Sequence, residues 1–181
     1  MKKELIQYIV EAAAGKGLTI FDIDDTMFTS NARVRVKNKN TNQVKELSPK
    51  EYNNYKLRSG EEWDYGEFKS SKIFYKTATP IGKMVTKFKA ILRNATKRGS
   101  KVILVTARAD MDDRDLFLKT FEANGYPLKD VYIERAGNLG LDSSAKNKEI
   151  VFRKYLDTGK YKRIRLFDDH IENLYALLKL S

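Results

Sequence analysis

Apolar residues recur along this chain in two rhythms. Short runs such as Leu18 to Phe21, Val102 to Val105 and Leu166 to Phe167 suit buried strands. Longer stretches repeat every three to four residues and suit helices with one covered face. Lys2 to Ala14 carries Leu5, Ile6, Ile9, Val10 and Ala13 on one stripe, which predicts an amphipathic helix ended near Gly15 and Gly17. Thr19 to Asp22 predicts the first central strand. Pro80 to Lys97 predicts a helix packed through Ile81, Met84, Val85, Phe88, Ile91 and Leu92, with Gly99 as its stop. A strand follows over Lys101 to Thr106, then a helix opened by Asp112 or Asp113 and closed after Ala123 by Asn124 and Gly125. Val131 to Ile133 predicts another strand, Ser143 or Ser144 the cap of a helix to about Leu156, Arg163 to Phe167 a strand, and Ile171 to Leu180 a closing helix. Strands alternating with helices imply an α/β fold whose central parallel sheet is wound through right-handed crossovers.

The rhythm changes between residues 29 and 79. Ala32 to Val36 alternates as a strand does, Lys37 to Asn42 is a polar turn, and Gln43 to Leu47 predicts the returning strand of a hairpin. Ser48 and Pro49 suit the cap and first turn of a short helix. The segment is expected to be an insertion, so that 1–28 with 80–181 form the core and 29–79 a cap-like addition. Tyr52, Tyr55, Trp63, Tyr65 and Tyr75 either stack on bases, helped by Lys37, Lys39 and Arg58, or build the insertion's own small centre; the need for some apolar centre favours the second.

Composition narrows the function classes. The chain has 181 residues, 41% of them hydrophobic, enough for one sizeable core. It contains no cysteine, which rules out disulfides and thiolate chemistry. No run resembles an export signal or a membrane span, so a soluble, cytoplasmic protein without membrane partners is expected. Thirty-five Lys and Arg against 24 Asp and Glu give a formal charge of +11, a field that attracts polyanions and also aids solubility.

Candidate chemistry lies where apolar runs stop. Leu18 to Phe21 ends in Asp22, Asp24 and Asp25; the second strand ends in Thr106, Ala107 and Arg108; the last ends in Asp168 and Asp169. In a parallel sheet these carboxyl ends share one edge, where open α/β sheets hold their ligands. Asp22 and Asp24 suit a divalent metal: they face one side if the strand continues, and a turn instead offers the Asp24 carbonyl. Lys146 or Lys148 could add an ammonium from the preceding helix, and the spacing of Lys146 to Ile150 favours Lys146. Asp110, Asp112, Asp113 and Asp115 lack the glycine and closing glutamate of a calcium loop and suit a charged helix start. His170, the single histidine, suits a capping or supporting place.

This order of motifs resembles the haloacid dehalogenase (HAD) superfamily of phosphohydrolases. Asp22, Asp24, Asp25 and Thr26 are similar to its first motif, Thr106 to the second, Lys146 to the third, and Asp168, Asp169 and Asn173 to the fourth. The resemblance implies a three-layer Rossmann-like HAD fold with a small cap. It also implies Mg²⁺ held by Asp22, Asp168 and the Asp24 carbonyl, with Asp169 and Asn173 orienting Asp168. Asp22 is then the nucleophile that forms an aspartyl-phosphate, Asp24 the general acid and base, and Thr106 with Lys146 the holders of phosphate oxygens.

A narrower likeness joins Thr106, Ala107 and Arg108 with Tyr132 to Arg135. It resembles the 3′-phosphatase domain of polynucleotide kinase/phosphatase enzymes, although a serine is common at Thr106, an acid is common at Asn138, and the insertion has no match there. By that likeness Arg108 and Arg135 are candidate phosphate clamps and the substrate is the 3′-phosphate of a nucleic-acid end. No phosphate-binding kinase loop is present. A nucleotidase or other small-molecule phosphatase, and a non-catalytic nucleic-acid binder, are the alternatives.

Overall fold

The computed structural model describes residues 6–11, 15–47, 51–52, 55–97, 99–141 and 143–180. Within them β1 (Ile6–Glu11) and β2 (Lys16–Phe21) lead into a two-residue strand β3 (Phe28–Thr29). The insertion carries β4 (Val34–Asn38), β5 (Val44–Leu47), β6 (Glu61–Asp64), α1 (Gly66–Lys69) and α2 (Ser71–Thr77). The chain returns through β7 (Thr79–Pro80) to α3 (Gly82–Lys97), β8 (Lys101–Thr106), α4 (Arg114–Ala123) and β9 (Tyr132–Arg135). A 3-10 turn (Ala136–Leu139), α5 (Ser144–Leu156), β10 (Tyr161–Asp168) and α6 (Ile171–Leu178) complete it.

The main sheet has the order β1-β10-β2-β8-β9, with β10, β2, β8 and β9 parallel and β1 antiparallel at the edge. Alternate residues of its central strands go to two separate cores, as the two-residue period of a strand demands. On one face Phe21, Leu104 and Phe167 join Phe88 of α3 and Phe117 and Phe121 of α4. On the other, Leu18, Ile20, Ile103 and Val105 meet Phe152 of α5 and Leu174 and Leu177 of α6. Helix, sheet and helix therefore make three layers. Successive strands step outward from β2 through β8 to β9, and β10 then returns to the opposite side of β2. The reversal opens a crevice at the carboxyl ends of β2 and β10, the usual ligand position in such sheets.

Two local expectations are corrected. The amphipathic stripe over Lys2 to Ala14 predicts a helix, yet Ile6–Glu11 is a strand paired with β10 from Ile6 opposite Asp168 to Glu11 opposite Arg163. Isoleucine, tyrosine and valine fit a pleated sheet, and an open sheet edge supplies backbone partners that outweigh helical spacing; residues 2–5 and 12–14 lie outside the described residues. The next helix starts at Gly82 because Pro80 is the extended partner of Phe28.

The insertion rises from that β3–β7 stem. Its hairpin of β4 and β5 matches the expected one, and β6 adds a third strand on the other side of β4. Tyr52, Tyr55, Trp63 and Tyr65 pack edge-on or stacked at 5.1 to 6.2 Å between ring centroids, forming the insertion's own centre. The expected cap at Ser48 and Pro49 lies outside the described residues. α2 belongs to the core: Phe74 is fully buried against Phe28 and Phe117. The Ser71 amide donates to Asp112 Oδ1 at 2.7 Å and the Ser71 hydroxyl to the Asp113 carbonyl at 2.6 Å, which ties α2 to the start of α4.

Candidate active site

The crevice is furnished by three strand ends and one helix. At the end of β2 the Asp22 amide donates to the Phe167 carbonyl at 2.9 Å, which sets Asp22 beside the end of β10. The chain then turns: the Met27 and Phe28 amides both donate to the Ile23 carbonyl, and Asp25 adopts φ 55°, a left-handed conformation that aspartate tolerates better than most residues. The Tyr126 hydroxyl and the Ile81 amide both bond the Met27 carbonyl, at 2.8 and 2.9 Å, and pin this turn.

The turn separates the two first-motif acids. Asp22 stays buried in the crevice, whereas Asp24 points its carboxylate at Arg108, which donates from Nε at 2.8 Å and Nη2 at 2.6 Å. Arg108 also donates from Nη1 to the Phe68 carbonyl of the insertion at 2.8 Å, and its guanidinium stacks at 4.7 Å on Phe68 and Phe74. The bidentate pair is the strong form of the interaction. All three guanidinium nitrogens are thus engaged by the protein, so Arg108 aligns Asp24 and does not stand ready as the expected phosphate clamp. Arg135 is engaged through Nε, 2.6 Å from Asp110 Oδ1. Thr106 is fully buried, and its hydroxyl oxygen accepts from the Arg108 amide at 3.0 Å.

Lys148, and not the preferred Lys146, enters the crevice. Ser143 caps α5 by accepting from the Lys146 amide at 3.3 Å, and from that start the buried stripe runs Lys148, Val151, Phe152 and Tyr155. Lys146 and Ile150 fall on the exposed side. Lys148 Nζ donates to Asp22 Oδ1 at 2.7 Å and Asp168 Oδ2 at 2.8 Å. The other oxygen of Asp168 accepts from the His170 amide at 3.0 Å and from Asn173 Nδ2 at 2.8 Å, so Asn173 has the orienting place expected of it. His170 is exposed and its ring makes no cap bond.

Electrostatics set the character of the pocket. Burial pushes the Asp22 carboxyl well up from its ordinary value; Lys148 opposes the rise, and the charges of Asp168 and Asp24 add to it. Burial alone would lower Lys148, but Asp168 and Asp22 outweigh it and hold the ammonium more firmly protonated than usual.

A family profile matches residues 2–171, nearly the whole chain, and its description is "Protein of unknown function (DUF2608)". The chain belongs to DUF2608. No curated protein and no solved structure matches it. In this DUF2608 chain the carboxylate oxygens of Asp22, Asp168 and Asp169 lie within 4.8 Å of one another, with one ammonium among them. Three hard oxygen donors carrying more negative charge than Lys148 offsets fit a Mg²⁺-type cation. Asp169 therefore joins the candidate ligand set, and the expected Asp24 ligand, its backbone carbonyl, is untouched by the bonds of its carboxylate to Arg108. Gly137, which sequence reasoning passed over, lets the turn after β9 approach the loop after β8: a Cβ there would fall 2.2 Å from the Ala107 carbonyl oxygen. Among the described residues no helix is long and apolar enough to cross a membrane.

Proposed function

We propose that this protein is a Mg²⁺-dependent phosphomonoester hydrolase of the HAD type, acting on the 3′-phosphate of a nucleic-acid end. The observation that supports it most is Lys148, whose ammonium bridges Asp22 and Asp168 in the crevice where the strand order reverses. Lys148 engages only Oδ1 of Asp22. Oδ2 is the atom available to attack phosphorus, with the P–O bond to the substrate breaking in line and an aspartyl-phosphate forming on Asp22. Asp24 gives the leaving oxygen its proton, which requires one of its two bonds to Arg108 to open. It then takes a proton from water, whose oxygen attacks phosphorus and releases inorganic phosphate, regenerating the Asp22 carboxylate. Lys148 holds Asp22 in line and offers positive charge to the phosphoryl oxygens, and the Thr106 hydroxyl keeps a proton to donate to them. Mg²⁺ bound by Asp22, Asp168 and Asp169 supplies the further charge that lets an anionic substrate approach carboxylates. The formal charge of +11 supports a polyanionic substrate.

The test is release of inorganic phosphate from a 3′-phosphorylated oligonucleotide, a matching 3′-mononucleotide and a 5′-phosphorylated oligonucleotide. Activity is expected with Mg²⁺, in that order of preference, and is expected to vanish with EDTA and with Asp22→Asn. Turnover that survives Asp22→Asn overturns the mechanism. Preference for the mononucleotide or the 5′ end replaces the substrate with a small one, and tight oligonucleotide binding with no phosphate release leaves a non-catalytic binder.

A further inference from the structure

Unpaired cations gather on one flank of the molecule, beside the crevice. Arg163 and Arg165 alternate along β10 with Ile164 and Leu166, so they project to the sheet face that α3 covers. α3 carries Lys83, Lys87, Lys89, Arg93 and Lys97 with no acid, even in the first turn, where the helix dipole favours one. Lys83 and Lys87 are one turn apart on the stripe that continues through Ile91 and Asn94. This stripe faces β10. Lys87 Nζ sits 5.2 Å from the ring centroid of Phe167, the neighbour of Asp168. Farther from the crevice, Asn94 of α3, Thr19, Ser100, Arg163 and Arg165 supply the polar wall of a 270 Å³ cleft that no acid lines among the described residues.

Several cations of the insertion, by contrast, have acidic partners. In the insertion Arg33 and Arg35 meet Glu46, and Lys39 meets Glu62. None of Lys83, Lys87, Arg163 and Arg165 has an ion-pair partner among the described residues, and the buried Nε of Arg165 has no hydrogen-bond partner there. The acid at the nearest ladder position is Glu11, opposite Arg163 at the end remote from the crevice. Leaving guanidinium N–H groups buried and unbonded is costly, which makes an incoming acceptor favourable. From Lys83 to Asn94 the helix covers about 16 Å. A track of that length, one helix wide and beginning beside Asp168, suits a linear polyanion better than a flat lipid surface.

We propose that the cleft between α3 and β10 binds the phosphodiester backbone of a single nucleic-acid strand, adjacent to the phosphate that reaches Asp22. The identity of that end phosphate rests on the function proposed above; occupancy of the cleft does not. The two are separated by measuring binding in Asp22→Asn protein, where no turnover intervenes.

Affinity for a 3′-phosphorylated single-stranded oligonucleotide, as RNA and as DNA, is followed across KCl concentrations. It is compared for Asp22→Asn alone and with Lys87→Ala, Arg163→Ala and Arg165→Gln added. The added substitutions are expected to weaken binding at least about tenfold near physiological salt and to reduce the slope of log affinity against log salt by about 2, at roughly 0.7 per phosphate neutralised on a single strand. Lys119→Ala on α4 serves as the control and is expected to change neither. An unchanged slope, or an equal loss in the control, overturns the proposal. Should the combined variant fail to fold, Lys83→Glu with Lys87→Glu, at the end of α3 near the crevice, must weaken binding alone, with an unaltered circular dichroism spectrum. Stronger binding of the Asp22→Asn protein to phosphatidylserine vesicles than to either oligonucleotide, lost in the cleft variant, overturns the occupant. In protein with Asp22 intact, Arg163→Ala with Arg165→Gln is expected to lower kcat/KM for the oligonucleotide and leave it unchanged for the 3′-mononucleotide. Cleft-dependent binding without phosphate release sinks the phosphatase and keeps the cleft; phosphate release indifferent to the cleft does the reverse.

Discussion

Lys148 holds two buried carboxylates with one ammonium, so its removal has consequences for both stability and chemistry. Lys148→Ala leaves Asp22 and Asp168 facing each other at low dielectric, and loss of one partner from such a pair costs about 3–5 kcal/mol. Under the proposed mechanism it also removes a charge aimed at the phosphoryl group, with an expected loss of about 10²–10³-fold in kcat by analogy with single oxyanion donors. Lys146→Ala is expected to change neither by a measurable amount. Thermal melts and phosphate release on the two variants, side by side, check this; equal losses would remove Lys148 from the chemistry. The choice between the lysines was legible in the sequence. Ile150 looked like the inward residue after Lys146, whereas Val151, Phe152 and Tyr155 make the longer apolar stripe, and Lys148 is on it. Asp22, Thr106 and Asp168 could be found because each ends an apolar run. The Arg108 to Asp24 bond was not legible: it depends on the turn at Asp25 and on Phe68, which lies in the insertion, before the helix that the sequence pattern made plain.

At the scale of elements, the loop after β8 is held from two sides. Phe74 of α2 and Phe68 of the insertion grip Arg108 on one side, and the turn after β9 closes on Ala107 and Arg108 from the other side, its Gly137 amide donating to the Arg108 carbonyl at 3.3 Å. A methyl group at Gly137 has no flexible side chain to push aside, only the backbone of Ala107 to Ala109. Gly137→Ala is expected to cost about 1–3 kcal/mol through overpacking and to lower kcat by displacing Arg108 and with it Asp24. The measurement is a thermal melt with kinetics on the same sample, and unaltered kinetics would show that the loop does not transmit the shift. Elements with a strong period were legible from sequence: β8 spans Lys101–Thr106 as expected, and α4 begins after Asp113, which caps it through the Leu116 amide at 2.9 Å. β1 and β6 were not. β1 depends on an edge of β10 that exists only in the folded sheet, and Glu61–Asp64 has no apolar alternation to announce a strand.

For the whole molecule, a cation held at Asp22, Asp168 and Asp169, as proposed, would link ligand binding to folding. Mg²⁺ at a hundredfold excess over its dissociation constant is expected to add about 2.7 kcal/mol, since the unfolded chain keeps these acids apart. For a chain of this size that corresponds to a rise in Tm of roughly 5–10 °C. Asp168→Asn is expected to abolish the rise, and calorimetry with and without EDTA reads it directly; a Mg²⁺ response that persists in Asp168→Asn places the ion elsewhere. The strand order carries another consequence. Asp22 and its lysine are separated by 126 positions. At about 5–20 residues per second of synthesis, Asp22 waits roughly 6–25 seconds for Lys148, and longer for Asp168. During that wait β2 also lacks β10, one of its two neighbours in the sheet. A nascent chain therefore carries Asp22 well before the ammonium that pairs with it, and the buried carboxylate stays without that partner until α5 and β10 have been made.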